Sequence, residues 1–181
     1  MARFSAVCHL RIRKEEQNSL RILRITRSDL NDWQALALRL WPNHSPEEME
    51  TILSGILESP KEEGFLVRDD AGEAIAFMNL SLRYDYVPGA TRSPVAYIEG
   101  IYVKEACRKQ GIATRLIRYA EQWALDKQCT ELASDAVIEN TDSQNFHIQM
   151  GFHEVERVVA FIKQIQLTTD TKEMQDTGKQ S

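Results

Sequence analysis

The chain has 181 residues, 43% of them apolar and 27% charged, which suits one domain with a substantial core and excludes a disordered chain or two comfortable domains. No apolar run approaches the roughly 20 residues that cross a bilayer, and charge precedes any sustained apolar stretch near Met1, so neither a membrane span nor a secretory signal is read. The net charge of −5 is uneven: residues 1–27 hold seven Arg and Lys against two Glu, leaving −10 on the remainder, an acidic body that disfavours nucleic acid and favours a polycationic small molecule.

Residues 1–19 lack periodicity and read as an extension, and residues 168–181 are polar and read as a tail. The domain lies between them, at 20–167. Residues 20–25 alternate like a first strand. Leu30, Trp33, Leu36, Ala37 and Leu40 then recur at helical spacing until Pro42 stops them. Ser45-Pro46-Glu47-Glu48 is a capping box with proline at the first helical position, opening a helix with the stripe Met49, Ile52, Leu53, Ile56 and Leu57. Residues 64–68 and 74–83 are strand-like around an Asp69-Asp70-Ala71-Gly72 turn. After a loop at 84–94, residues 95–103 form the strongest strand pattern. Ile112, Leu116, Ile117, Ala120, Trp123 and Ala124 mark a helix starting near Gly111. A strand near 130–135, a helix at 141–150 closed by Gly151 and a last strand or pair at 153–166 complete the order. The class is α/β (α+β), a mixed sheet with helices on both faces.

Arg108-Lys109-Gln110-Gly111-Ile112-Ala113 lies between a buried strand and a helix start. Small residues at 111 and 113 let the main chain approach a ligand, and the unpaired N–H groups of a first helical turn favour a pyrophosphate. By itself this is also an ordinary strand-to-helix turn. Glu99 stands inside an apolar strand and Asp135 ends a short one. Carboxylates so placed are costly unless they are hydrogen-bonded or face a wet cleft with a cationic ligand; a solvent-facing Glu99 and a turn-capping Asp135 are the plain alternatives. Cys8, Cys107 and Cys129 are an odd, scattered set without ligand spacing, which points to a reducing cytoplasmic setting and no structural metal.

Asn140, Ser143, His147 and Gly151-Phe152, taken with the R-x-x-G-x-A turn thirty residues earlier, resemble the GNAT superfamily of N-acetyltransferases, with His147 where that family usually has tyrosine. Leu40-Trp41-Pro42, Arg83-Tyr84-Asp85-Tyr86-Val87, Ser93-Pro94-Val95 with Ile98-Glu99-Gly100-Ile101-Tyr102-Val103, Ala133-Ser134-Asp135 and Glu154-Val155-Glu156-Arg157-Val158 narrow the resemblance to the aminoglycoside 6'-N-acetyltransferases, in family order over about 20–165.

The resemblance implies a mostly antiparallel GNAT sheet. Acetyl-CoA would be the cosubstrate, and the 6'-amino group of an aminoglycoside antibiotic would be the acceptor; a polyamine or protein amine is the alternative. The pantetheine arm would pair with the main chain of Ile101, Tyr102 and Val103, and one of these N–H groups would polarise the thioester carbonyl. The turn Arg108, Lys109, Gln110, Gly111, Ile112, Ala113 and Thr114 would take the pyrophosphate. Asn140 would lie between cofactor and acceptor, and Trp41, Tyr86, Glu99, Asp135 and Glu156 would line the acceptor cleft. From the residues themselves, Glu99 or Asp135 is expected to accept the amine proton, directly or through water, and the departing thiolate is either protonated by His147 or leaves unaided. A homodimer is also implied, with the apolar last strand (Val158, Val159, Phe161, Ile162) serving as interface or as core.

Overall fold

The computed structural model of the chain describes residues 20–165; the expected extension at 1–19 and tail at 168–181 lie outside them. Five strands form one sheet in chain order: β1 (Arg21–Arg24), β2 (Glu62–Arg68), β3 (Ala74–Arg83), β4 (Val95–Val103) and β5 (Leu132–Ser134). The first four pair antiparallel and β5 joins β4 in parallel. Four helices complete it: α1 (Leu30–Leu40), α2 (Pro46–Glu58), α3 (Ile112–Asp126) and α4 (Thr141–Gln149).

The helices divide between the two faces as the sequence pattern requires. Trp33, Leu36 and Ala37 of α1 and Met49, Leu53 and Ile56 of α2 pack on Leu66, Ala74 and Phe77. Ile112, Leu116, Ile117, Ala120, Trp123 and Ala124 of α3 pack on Phe65, Val67, Met78, Leu80 and Ile98 from the other side. β3 is therefore covered on both faces and reads as a nearly continuous apolar run. Each large side chain buried this way contributes about 1.5–3 kcal/mol. The α2 capping box forms as expected: Glu48 N donates to Ser45 Oγ (3.2 Å) and Ser45 N donates to Glu48 Oε2 (2.8 Å). Ile52, counted in the apolar stripe of that helix, is 43% exposed, because the stripe is narrower than the sequence suggests.

One expected element is absent. Residues 153–165 form no strand, and Val158, Val159, Phe161 and Ile162 stand in solvent rather than in the core. Apolar alternation records that a segment is made to be covered, but not by which chain; here Val155 lies against Gly89, while the described residues leave Val158, Val159, Phe161 and Ile162 largely exposed.

Two glycines set the distance between sheet and helices. A Cβ at Gly64 would stand 2.9 Å from the fully buried Trp33 ring and 3.0 Å from Ile25 Cδ1, and one at Gly100 would stand 2.6 Å from the Trp41 ring. Gly64 and Gly100 both pair with Asn79, so they form one row across three strands with an indole above each end. Gly64→Ala is expected to cost about 1–3 kcal/mol by overpacking, read as a lower urea midpoint with unchanged slope. Gly55→Ala, in the interior of α2 with open space around it, is expected to add about 0.5–1 kcal/mol in the same measurement.

Candidate active site

The sheet opens where β5 leaves β4. Their ladder covers only Ala96, Tyr97 and Ile98 against Leu132, Ala133 and Ser134, so from Glu99 to Val103 the edge of β4 away from β3 has no strand beside it among the described residues. Ile101, Tyr102 and Val103 lie on this stretch. The chain then turns through a short 3-10 segment, Glu105–Cys107. Arg108 folds back, donating from Nε to Val103 O (3.1 Å) with its guanidinium 5.8 Å from the Tyr102 ring centre. Lys109 (φ 57°) and Gly111 (φ 78°) both adopt the left-handed conformation, which curls the main chain into the start of α3. Gln110 Nε2 donates to Ala106 O, holding the curl. The first N–H groups of α3, around Ile112, Ala113 and Thr114, lack a carbonyl one turn earlier, and a Cβ on Gly111 would project into open space. A free strand edge leading to a helix N-terminus fits a long cosubstrate carrying an anionic pyrophosphate.

The opposite end of the opening is built on a bulge. Asn79 pairs with Gly100 and Leu80 with Ile98, leaving Glu99 as the extra residue of β4. Its carboxylate faces β3: Arg83 Nε donates to Oε1 (2.9 Å) and Nη2 to Oε2 (2.6 Å), and Ser81 Oγ also donates to Oε1. Burial pushes the Glu99 carboxyl up, but the bonds from Arg83 and Ser81 and the Arg83 charge outweigh it, so its pKa lies below the ordinary carboxylate value. The Arg83 guanidinium carbon sits 3.3 Å above the Tyr97 ring centre, and Tyr97 Oη donates to Asp135 Oδ1 (3.1 Å). Burial and the neighbouring Asp135 charge push the Tyr97 hydroxyl up to about 12, so it stays protonated as the donor of that bond. Trp41, directly after α1, lies over Gly100 and against Phe77 (5.8 Å between ring centres).

The α4 side carries the remaining expected residues. Asn140 is the N-cap of α4, its Oδ1 accepting from Ser143 N (3.0 Å). His147 Nδ1 lies 2.7 Å from Ser143 O and Nε2 lies 3.1 Å from Ser134 Oγ. A carbonyl only accepts, so we assign the ring proton to Nδ1 and let Nε2 accept from the serine hydroxyl. Phe152 packs edge-on against the ring. Asp135, His147 and Glu156 line a common cleft of about 860 Å³ with Tyr97, Ser134 and the apolar side chains of Val137, Ile138, Ile148, Val155 and Val158. Glu99, Trp41, Tyr86 and Asn140 are not among the residues lining that cleft; Tyr86, on the 84–94 loop, is 83% exposed.

Four residues of this site receive no role from the sequence, although Arg83 opens one of the family-like stretches. Ser81, Arg83 and Tyr97 become legible only once the β3–β4 register is known, because it alone brings Arg83 to Glu99. Asn79 is 2% exposed and its Oδ1 meets no donor among the described residues. Cys107 and Cys129 are free thiols, and burial pushes that of Cys129 up, away from a nucleophilic thiolate. Among the described residues no cluster of His, Cys, Asp and Glu is arranged to hold a metal, and no helix is long and apolar enough to cross a membrane.

A mixed sheet that parts between its fourth and fifth strands, with a helix N-terminus at one end of the gap, defines an acyltransferase of the GNAT class. Residues 29–152 match the acetyltransferase (GNAT) family, and the chain belongs to it. Within that family it is 47% identical over 135 residues to the aminoglycoside N(6')-acetyltransferase type 1 of Serratia marcescens, covering 75% of this chain and 92% of that one. The enzyme of the same name from Acinetobacter baumannii is 42% identical over 146 residues, 81% and 99% of the two chains. Among solved structures, AAC(6')-Iy in complex with the bisubstrate analogue CoA-S-monomethyl-acetylneamine matches with a TM-score of 0.77 at 36% identity, over 82% of this chain and 100% of that one. AAC(6')-Ih from Acinetobacter baumannii matches with a TM-score of 0.75 at 41% identity over 82% and 100%.

Proposed function

We propose that the chain transfers the acetyl group of acetyl-CoA to the 6'-amino group of aminoglycoside antibiotics and thereby confers resistance to them. The observation that carries this is the open edge of β4, with the N-terminus of α3 at one end and the carboxylates Glu99 and Asp135 near the other. The relative bound to an analogue joining CoA to acetylneamine supports reading those ends as the donor and acceptor halves of one site.

Acetyl-CoA supplies the acyl group as a thioester. Main-chain groups of Ile101, Tyr102 and Val103 would hold its pantetheine arm, and the N–H groups of the 108–114 turn its pyrophosphate, with Asn140 beside the thioester. Trp41, Tyr86, Glu99 and Glu156 would bind the aminoglycoside, whose ammonium groups match a cleft rich in carboxylates. The attacking amine must first lose a proton. Glu99 is already engaged by two charge-assisted bonds from Arg83, and protonating it would break them; Asp135, exposed and accepting one bond from Tyr97, is assigned as the acceptor of that proton. His147, tied to Ser134 at the parting of β4 and β5, is assigned to protonate the departing thiolate, a step for which Nε2 must carry a second ring proton in place of the bond it accepts from Ser134. The buried Cys129 and the charged neighbourhood of Cys107 support direct attack without an acetyl-enzyme. Use of acetyl-CoA and free thiols support a cytoplasmic enzyme.

A second copy of the chain is the partner we propose. Phe161 and Ile162 are almost wholly exposed and Val158 and Val159 largely so, while Val137, Ile138 and Ile148 leave apolar surface on the same side of the molecule. An unpaired apolar segment beside an apolar cleft is the kind of surface that two copies cover for each other.

Neomycin and paromomycin differ at the 6' position, amine in one and hydroxyl in the other. CoA release with neomycin and none with paromomycin is the expected result; equal release would discard the 6' assignment, and silence with both would redirect the search to polyamines and protein amines. Asp135→Asn is expected to lower kcat with neomycin by about 10²-fold or more, and His147→Gln by at least about tenfold, each with the KM for acetyl-CoA retained; unchanged kcat removes that residue from the chemistry. In light scattering the full chain is expected at twice its chain mass, and the double variant Phe161→Ser, Ile162→Ser at the chain mass; a monomeric wild type would end the dimer proposal.

A further inference from the structure

The acceptor end of the site contains a cation of its own, Arg83. It is the last residue of β3, opposite Val95 in the ladder, whereas Glu99 is the residue that the bulge leaves without a partner. The bulge thus turns the Glu99 carboxylate toward β3 and under a two-pronged guanidinium, with Ser81 occupying one oxygen further. The same guanidinium lies flat on the Tyr97 ring at 3.3 Å, and Tyr97 in turn donates to Asp135. One planar group therefore touches two side chains of the site directly and reaches a third through a hydroxyl.

We infer that Arg83 is the positioning residue of the acceptor site: it fixes Glu99 as an anion that does not take up protons and clamps Tyr97 beneath its plane, so that Asp135 is left as the carboxylate that accepts the proton of the incoming amine. The inference rests on reading this end of the site as the acceptor site. Two physical arguments carry it. A carboxylate held by two parallel charge-assisted N–H bonds surrenders both on protonation, so the pair resists titration. A tyrosine pinned through its ring face has its hydroxyl direction set, and here that direction is Asp135. Only arginine does both tasks, because lysine is a point charge without a flat, forked face. The charge that bears on Glu99 is that of Arg83 from β3, and Tyr97 of β4 and Asp135 beyond β5 bear in turn on Arg83. Removing Arg83 leaves burial opposed only by Ser81, so the Glu99 pKa rises. Glu99 is then no longer a fixed anion at the acceptor end.

The test compares the full-length wild type, Arg83→Met and Arg83→Lys with neomycin as acceptor, measuring kcat and KM from pH 5 to 9 and the KM for acetyl-CoA separately. Arg83→Met is expected to lower kcat at least tenfold and to move the acid limb of kcat/KM to higher pH, with the KM for acetyl-CoA unchanged. Arg83→Lys restores the charge without the fork or the stacked plane; it is expected to return the acid limb toward the wild-type position while recovering only part of kcat. Wild-type kcat and pH profile in Arg83→Met would overturn the inference. So would equal losses in both variants with an unmoved acid limb, which is what a merely structural residue gives. Should Arg83→Met fail to fold, Arg83→Gln takes its place in the same comparison: an acid limb moved to higher pH, with the lysine variant returning it, supports the inference, and an unmoved acid limb overturns it. If the wild type acetylates no aminoglycoside, the acceptor reading itself falls and takes the inference with it, an outcome distinct from wild-type turnover that is indifferent to Arg83.

Discussion

The parallel ladder between β4 and β5 lasts three residues, and the rest of the molecule is arranged around its ending. A strand edge inside a folded domain presents N–H and C=O groups that must be paired by something, whether chain, water or ligand. Here the two strands diverge, and the turn after β4 carries the next helix N-terminus to the end of the exposed edge. The edge offers main-chain groups to an extended ligand and the helix offers an electropositive stop. α3 is fixed in that position by the six buried side chains of its apolar face, so the mouth of the opening is as rigid as the core behind it.

An acceptor site of the kind proposed has to reconcile two demands that oppose each other. Carboxylates draw in a polycation, yet each negative charge near an ammonium group makes it harder to deprotonate. A cleft with several equivalent carboxylates would bind well and react poorly. The bulge at Glu99 separates the tasks geometrically: one carboxylate is turned onto an arginine and held there as its ion-pair partner, and another, reached through Tyr97, stays open to the cleft. The division lies in the register of β3 on β4 and not in the count of acidic residues.

Strand register also marks the boundary of what the amino-acid sequence makes legible. Helices whose stripes face one way, the Ser45 capping box and the turn at Gly72 are local patterns, written within a dozen residues, and they reappear at the expected places. Glu99 and Asp135 stand out because a carboxylate in an apolar strand is anomalous by itself. Arg83 does not, since an arginine at a strand end is ordinary until a bulge sixteen residues later turns a carboxylate toward it. The segment at 153–165 misleads in the opposite way. Its apolar residues announce burial, but sequence cannot say whether the cover comes from the same chain, so interface and core are both open to it.

The glycine row at Gly64 and Gly100, with Trp33 and Trp41 resting on it, has an evolutionary consequence. A position where the smallest added atom already collides with a packed ring admits no series of small improvements; it is kept or it is lost. The contact between Gly100 and Trp41 is therefore closed to gradual adaptation. On the acceptor site proposed above, changes in which drugs are accepted would enter through parts that tolerate substitution, the loop carrying Tyr86 and the irregular segment carrying Glu156. Variants with a widened spectrum should accumulate their differences at this rim, over a floor that stays the same.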